Sequence, residues 1–195
     1  MRREQFEAVL DVLVGRDDVV LTFDDGFRSD VSAALPALQS RGLSAKFFIT
    51  AAHLGQPGYL RPTDVKTLAD HGMTVGTHGW RHVSWRHLDR DQLVGEIVRS
   101  RTVLEDLINA KVKELSIPSG QYNRRVLEVI RDLGFERVYT VDGPWACHDR
   151  WLQPRFAVTN ADTPQTVQAS LALSRHGWGA AVRAGKRWIK QSRWQ

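Results

Sequence analysis

Short apolar runs alternate along the chain with longer amphipathic segments. Asp18 to Phe23 is typical of a buried strand, and Val31 to Gln39 has apolar positions at the spacing of a helix. The alternation continues to about residue 158, with connections rich in Gly, Pro and Asn. We predict strands at 18–23, 45–50, 73–77, 114–117, 137–140 and 155–158, and helices at 31–39, 62–71, 91–107 and 123–133.

This order of elements predicts the α/β class. Strands that alternate with helices through short connections form a mainly parallel sheet or barrel, with the helices packed outside it. The length of 195 residues and the hydrophobic content of 42% fit one globular domain. We therefore assign residues 1–195 to a single domain, with a basic, Trp-containing helical tail at about 177–195.

The positive charge is concentrated in that tail. The chain has a net charge of +5, and six of its positive charges lie after Asp162, where no acidic residue follows. The first 162 residues therefore have a net charge of −1, which gives no reason to expect a specific nucleic-acid partner. We expect the tryptophans of the tail to pack on the domain. The alternative is peripheral contact of the tail with an anionic membrane.

Cysteine content and apolar runs limit the class of protein further. A single cysteine, Cys147, excludes an intramolecular disulfide and a zinc site made of thiolates. The first residues lack the apolar core of a signal peptide, and no apolar run is long enough to span a bilayer. We expect a cytoplasmic protein.

Polar side chains capable of catalysis follow two of the predicted strands, and a turn that could supply backbone N–H donors follows strand four at 117–123. Asp24 and Asp25 end the first strand, and His78 and His82 follow the third. Carboxyl ends of parallel strands meet at one edge, where α/β folds place their active sites. Two histidines and a carboxylate that leave open coordination positions are typical of a catalytic zinc site. Iron(II) oxygenases use the same ligands, but they have double-sheet β folds, unlike the α/β fold predicted here. Zinc proteases with histidines four residues apart need a glutamate directly after the first histidine, where this chain has Gly79.

Two of these segments resemble motifs of the polysaccharide deacetylases, which form carbohydrate esterase family 4. The segment from Thr22 to Gly26, TFDDG, matches the first motif of the family, and His78 to His82, HGWRH, resembles the second. The segment from Pro118 to Asn123, PSGQYN, is similar to the third motif. The resemblance implies a deformed, incomplete (β/α) barrel that removes acetyl groups with the help of a metal. Carried over by position, Asp25, His78 and His82 would bind the metal and Asp24 would be the general base.

The resemblance also suggests secondary site residues. Backbone N–H groups at Ser119 and Gly120 are candidate donors to the oxyanion, Tyr122 and Trp80 are candidate substrate contacts, and Arg155 is a candidate for an orienting or substrate role. The chain departs from the family at three places. It lacks the arginine that often precedes the third motif, it has Gly79 in place of Ser or Thr, and it lacks the late Leu-x-His motif that supplies a general acid. Candidates for that acid are His148 and His176.

The sequence thus predicts a hydrolase that removes acetyl from an N-acetylated amino sugar in a glycan, glycoconjugate or sugar-containing precursor. Zinc is the expected ion, and cobalt, nickel or manganese suit the same ligands. Two alternatives stay open at this point. One is an amidase or esterase that uses the same site on a substrate other than a sugar, and the other is a sugar-binding domain with a degenerate site.

Overall fold

The computed structural model describes residues 1–143, 146 and 149–172. The strands are β1 Leu21–Asp25, β2 Ala45–Ile49, β3 Thr74–Thr77, β4 Glu114–Ser116, β5 Arg137–Thr140 and β6 Leu152–Pro154. The α-helices are α1 Arg3–Asp11, α2 Leu35–Gln39, α3 Pro62–Asp70, α4 Arg90–Ile108, α5 Arg124–Asp132 and α6 Pro164–Ala172. The tail predicted at 177–195 lies outside the described residues, so the extent of the single domain stays a prediction. Among the described helices, none has both the length and the apolar character needed to cross a membrane.

The six strands form one parallel sheet whose order follows the chain. Each strand pairs with the next from β1 to β6, so β1 and β6 are the two edges. The sheet curls into a half-barrel with the helices around it, and the predicted incomplete α/β barrel is confirmed. In this register Asp25 lies beside Ile49, and Ile49 lies beside Thr77, which brings the exits of the first three strands together.

Successive residues of β2 face alternately the surrounding helices and the lumen of the half-barrel. Phe47 and Ile49 are fully buried in the apolar cluster that the helices cover, whereas Phe48 is buried outside that cluster. Because side chains alternate across a strand, Lys46 shares the face of Phe48. The helical layer is therefore an ordinary apolar core, and the lumen holds a separate set of side chains.

The lumen is packed from its floor to its rim. At the floor, Lys46 Nζ lies 2.6 Å from Glu114 Oε1, a mostly buried ion pair between β2 and β4. Above it the rings of Phe48 and Tyr139 lie 4.8 Å apart, and the Arg155 guanidinium lies 5.5 Å from the Phe48 ring. Gly76 leaves room for Phe48, since a Cβ there would approach its ring to 2.5 Å.

Two predicted elements differ from the structure. Strand six was predicted at 155–158 but occupies Leu152–Pro154, where it pairs with β5. The helix predicted at 31–39 begins with π-helical turns at Asp30–Ala34 before α2. Pro36 explains this widening, because its ring has no N–H and would clash with the carbonyl four residues earlier in a regular α-helix.

The π-helical start contains a buried carboxyl group, Asp30, which is 5% exposed. Burial is the main reason that the pKa of Asp30 is raised to about 7. The charges of Asp25 and Asp24 contribute to this increase, and a hydrogen bond from the Phe27 backbone opposes it. In the unfolded chain the carboxyl loses its proton near the ordinary aspartate value, about 3.9. Folding therefore becomes less favourable as the pH rises between these two values.

We expect Asp30→Asn to gain stability relative to the wild type as the pH rises from about 4 to about 7, by about 3 kcal/mol in total. An amide carries no charge to bury, and its carbonyl can still accept the bond from Phe27. Urea denaturation of the metal-free proteins at a series of pH values measures the difference in free energy of unfolding. The exposed Asp70→Asn is the control, and an equal pH dependence in both variants would contradict the prediction.

Candidate active site

Three potential metal ligands meet at the exits of β1 and β3. One ligand atom from each of Asp25, His78 and His82 can be chosen so that all lie within 4.8 Å of one another. Asp25 Oδ1 lies 3.4 Å from His82 Nε2 and 3.7 Å from His78 Nε2. Asp25 and His82 are each about one-third exposed, so the cluster is open to solvent on one side.

His78 is held in the tautomer that a metal ligand needs. Its Nδ1 lies 2.8 Å from the carbonyl oxygen of Ser116, so Nδ1 carries the proton and donates it. The Nε2 atom is then free of a proton and faces Asp25. Burial lowers the pKa of His78 despite the opposing effects of Asp24, the Ser116 carbonyl and Asp25, which keeps the imidazole neutral.

The backbone is strained where it supports these side chains. Asp25, His82 and Ser119 have φ values of 76°, 56° and 54°, in the left-handed region that residues with a Cβ rarely adopt. Asp25 is the last residue of β1, and His82 and Ser119 lie in the loops that follow β3 and β4. Strain of this kind costs of order 1–3 kcal/mol per residue and persists only where the surroundings impose it.

The histidine loop is shaped by a glycine and anchored to α4. Gly79 has a φ of +80°, and a Cβ there would lie 2.7 Å from Cζ2 of the buried Trp85. The Arg81 backbone N–H and Nε both donate to the buried Glu96, at 2.9 and 2.7 Å. The replacement of the family's Ser or Thr by Gly79 is thus explained by the position of the Trp85 indole.

Asp24 points into the lumen beside the cluster, where Arg155 holds it. The two carboxylate oxygens accept bonds from Arg155 Nη1 and Nη2, at 2.8 and 2.7 Å, and Ser116 Oγ lies 3.2 Å from Oδ2. Arg155 also donates to Thr22 Oγ1 and Ser116 Oγ, at 2.8 and 2.7 Å. Burial would raise the pKa of Asp24, but the hydrogen bonds and the positive charge of Arg155 outweigh it and hold that pKa below its usual value.

The described structure assigns other contacts to several of the secondary candidates. The Gly120 N–H donates to the Ile117 carbonyl at 3.0 Å, and its role as an oxyanion donor stays a prediction. Tyr122 is buried and donates to Asp142 at 2.6 Å. The Trp80 ring is covered by the Arg99 guanidinium, at 3.8 Å. Ser119 is exposed at the strained turn.

Neither candidate for the general acid can be placed, because His148 and His176 lie outside the described residues. Three further residues support the site and were not predicted from the sequence, namely Thr22, Glu96 and Ser116. A signal existed for Ser116, since it occupies the place before the third motif where the family often has its arginine.

We expect Gly79→Ser to lower the free energy of unfolding by about 2 kcal/mol or more, because the new Cβ is strained at positive φ and overlaps Trp85. Gly95→Ala is the matched control. Gly95 lies within α4 with open space around its Cβ position, so this variant should be stabilised by about 0.5–1 kcal/mol. Urea denaturation measures both changes, and equal effects would show that the Trp85 indole and the positive φ do not require glycine at position 79.

We expect Arg155→Ala to lower the free energy of unfolding by about 2 kcal/mol, because it leaves the Asp24 carboxylate without its main donors. The control is Arg90→Ala, which removes a pair with Asp132 in which both side chains are more than half exposed. Such pairs contribute about 0.5 kcal/mol or less. The same denaturation experiment compares the two, and a loss no larger than that of the control would refute a central role for Arg155.

Comparison with known proteins gives a consistent assignment. The family model for polysaccharide deacetylase matches residues 12–138. The putative polysaccharide deacetylase YxkH of Bacillus subtilis is 25% identical over 168 residues, which cover 86% of this chain and 57% of YxkH. The peptidoglycan-N-acetylglucosamine deacetylase PgdA of Listeria monocytogenes is 28% identical over 113 residues, 57% of this chain and 23% of that protein.

A solved structure supports the same fold. The Streptococcus pyogenes deacetylase PplD, determined in complex with acetate, superposes with a TM-score of 0.78 at 18% identity, covering 86% of each chain. At this identity the likeness concerns the fold alone. With the family model matched over most of the chain, we conclude that this protein belongs to the polysaccharide deacetylase family.

Proposed function

We propose that this chain is a metal-dependent hydrolase that removes the acetyl group from an N-acetylated amino sugar of a glycan. The observation that carries the proposal is the position of Asp24. One oxygen of this carboxylate lies 3.8 Å from Nε2 of His78, a member of the ligand cluster, while Arg155 grips both oxygens. A base and a set of metal ligands thus share one solvent-accessible corner of the rim.

The cluster suits a divalent ion with zinc as the first candidate. Two imidazole nitrogens and one carboxylate oxygen, with a side open to solvent, are the donors of catalytic zinc sites. Asp25, His78 and His82 would hold the ion. When bound, a divalent ion polarises a carbonyl oxygen and lowers the pKa of water.

The chain's own residues then supply the proton transfer. Asp24 is ionised and is the group that accepts the proton of the attacking water. Arg155 and Ser116 fix the direction of its oxygens, so the base needs no reorganisation when the water arrives. We assign to the backbone N–H of Ser119 the role of a hydrogen-bond donor to the oxyanion that forms when water attacks the acetyl carbonyl.

The substrate class is proposed from the relatives. The Listeria relative is named for N-acetylglucosamine in peptidoglycan, and the family model is that of polysaccharide deacetylases. The chain spans 57% of the length of YxkH and 23% of the length of PgdA. The substrates of these longer proteins therefore serve as a guide to the substrates that should be tested. The ordered pairing of Asp24 with Arg155 favours hydrolysis over a sugar-binding domain with a degenerate site.

We expect Asp24→Asn to keep its zinc and to release acetate at least about 100-fold more slowly than the wild type, because an amide cannot accept the proton. Zinc content is measured by elemental analysis, and acetate release is measured on N-acetylated chitooligosaccharides and peptidoglycan fragments. His78→Ala should lose most of its zinc as well as its activity.

The controls are His71→Ala and Asp70→Asn, which change two exposed residues at the end of α3. Both should keep zinc and activity at the wild-type level. Full zinc content in His78→Ala would refute the ligand assignment. Acetate release by Asp24→Asn at the wild-type rate would refute the role of the base, and a zinc-loaded wild type that is inactive on all N-acetylated sugars would refute the function.

A further inference from the structure

An aromatic pair lies beside the candidate ligands and has no part in the site described so far. The rings of Phe27 and Tyr59 are stacked, with centroids 5.3 Å apart and planes 23° from parallel. Phe27 is 43% exposed, and within the described part of the chain it is the one aromatic residue among the exposed large hydrophobic side chains. Tyr59 is half-buried, with the His53 ring 4.4 Å away on the same loop.

The pair is preformed because the two loops that carry it are joined by their backbones. Phe27 and Tyr59 form an isolated antiparallel bridge. On either side of it, the Arg28 N–H donates to the Gly58 carbonyl at 2.8 Å, and the Leu60 N–H donates to the Gly26 carbonyl at 2.9 Å. A ligand that settles on these rings would therefore not have to order either loop, which is the main cost of binding to flexible loops.

The pair lies close to the reacting position. Phe27 follows Asp25 by two residues, so their Cα atoms are at most about 7 Å apart, a distance comparable with one sugar unit. Among the described residues, no hydrogen-bond partner is found for the Tyr59 hydroxyl. The pair thus offers an apolar ring face together with a phenolic hydroxyl at the rim of the half-barrel.

We propose that Phe27 and Tyr59 form a binding subsite for a second sugar residue of the substrate, next to the residue that loses its acetyl group. The C–H face of a pyranose packs on an aromatic ring, and a hydroxyl of the sugar can pair with Tyr59. A docking surface for another protein would need a larger apolar patch than one exposed phenylalanine. The inference rests on the proposed function and makes this chain selective for oligosaccharides over single sugars.

The test compares a tetrasaccharide of N-acetylglucosamine with the single sugar. We expect Phe27→Ala in the zinc-loaded protein to raise KM for the tetrasaccharide about five- to tenfold, with kcat nearly unchanged and activity on the single sugar unaltered. Phe27→Trp keeps an aromatic face and should retain the wild-type KM. Val20→Ala is the control, since Val20 is an exposed apolar residue just before β1, at the opposite end of the sheet.

Binding of the tetrasaccharide to Asp24→Asn, with and without Phe27→Ala, gives a second reading by calorimetry. Weaker binding in the double variant than in Asp24→Asn supports the subsite, whether or not the wild type releases acetate. Absence of acetate release by the wild type would refute the proposed function but not the subsite. Acetate release from the tetrasaccharide with an unchanged KM in Phe27→Ala overturns the subsite and leaves the proposed function intact. Absence of tetrasaccharide binding in both proteins also overturns the subsite.

Discussion

The architecture of this protein depends on the contact between Arg155 and Asp24. The two edge strands of the sheet, β1 and β6, do not pair with each other, and a guanidinium group joins them where a barrel would have further strands. Arg155 follows β6 directly and reaches Thr22 and Asp24 on β1. A single side chain therefore helps to hold the half-barrel together and orients the carboxylate that we assign as base.

This arrangement explains how the chain can lack the family's arginine on β4. Ser116 occupies that place, and it accepts a bond from Arg155 as well as approaching Asp24. The positive charge beside the base is thus retained but comes from the residue that follows β6, two strands further along the sheet than β4. Charge and direction at the base are the physical requirements, and more than one strand of a curled sheet can meet them.

Much of the fold and the centre of the site could be predicted from the sequence. Apolar runs placed β1 to β5 nearly correctly, and TFDDG with HGWRH brought Asp25, His78 and His82 to one edge. The short strand β6 was misplaced because Pro154 and the segment around it have little strand character. An orienting or substrate role was predicted for Arg155, but its pairing with Asp24 was not, since the two residues are 131 positions apart and only the curl of the sheet brings them together.

The packed lumen has a consequence for how a polymer can be used. From the Lys46–Glu114 pair through Phe48 and Tyr139 to Arg155, side chains occupy the column beneath the rim. An eight-stranded barrel interior is likewise filled by side chains and is not a pore. A glycan chain of the kind proposed as substrate therefore has no route through the described part of the lumen and would lie across the open rim. Such a surface admits residues in the interior of a chain as readily as those at its ends.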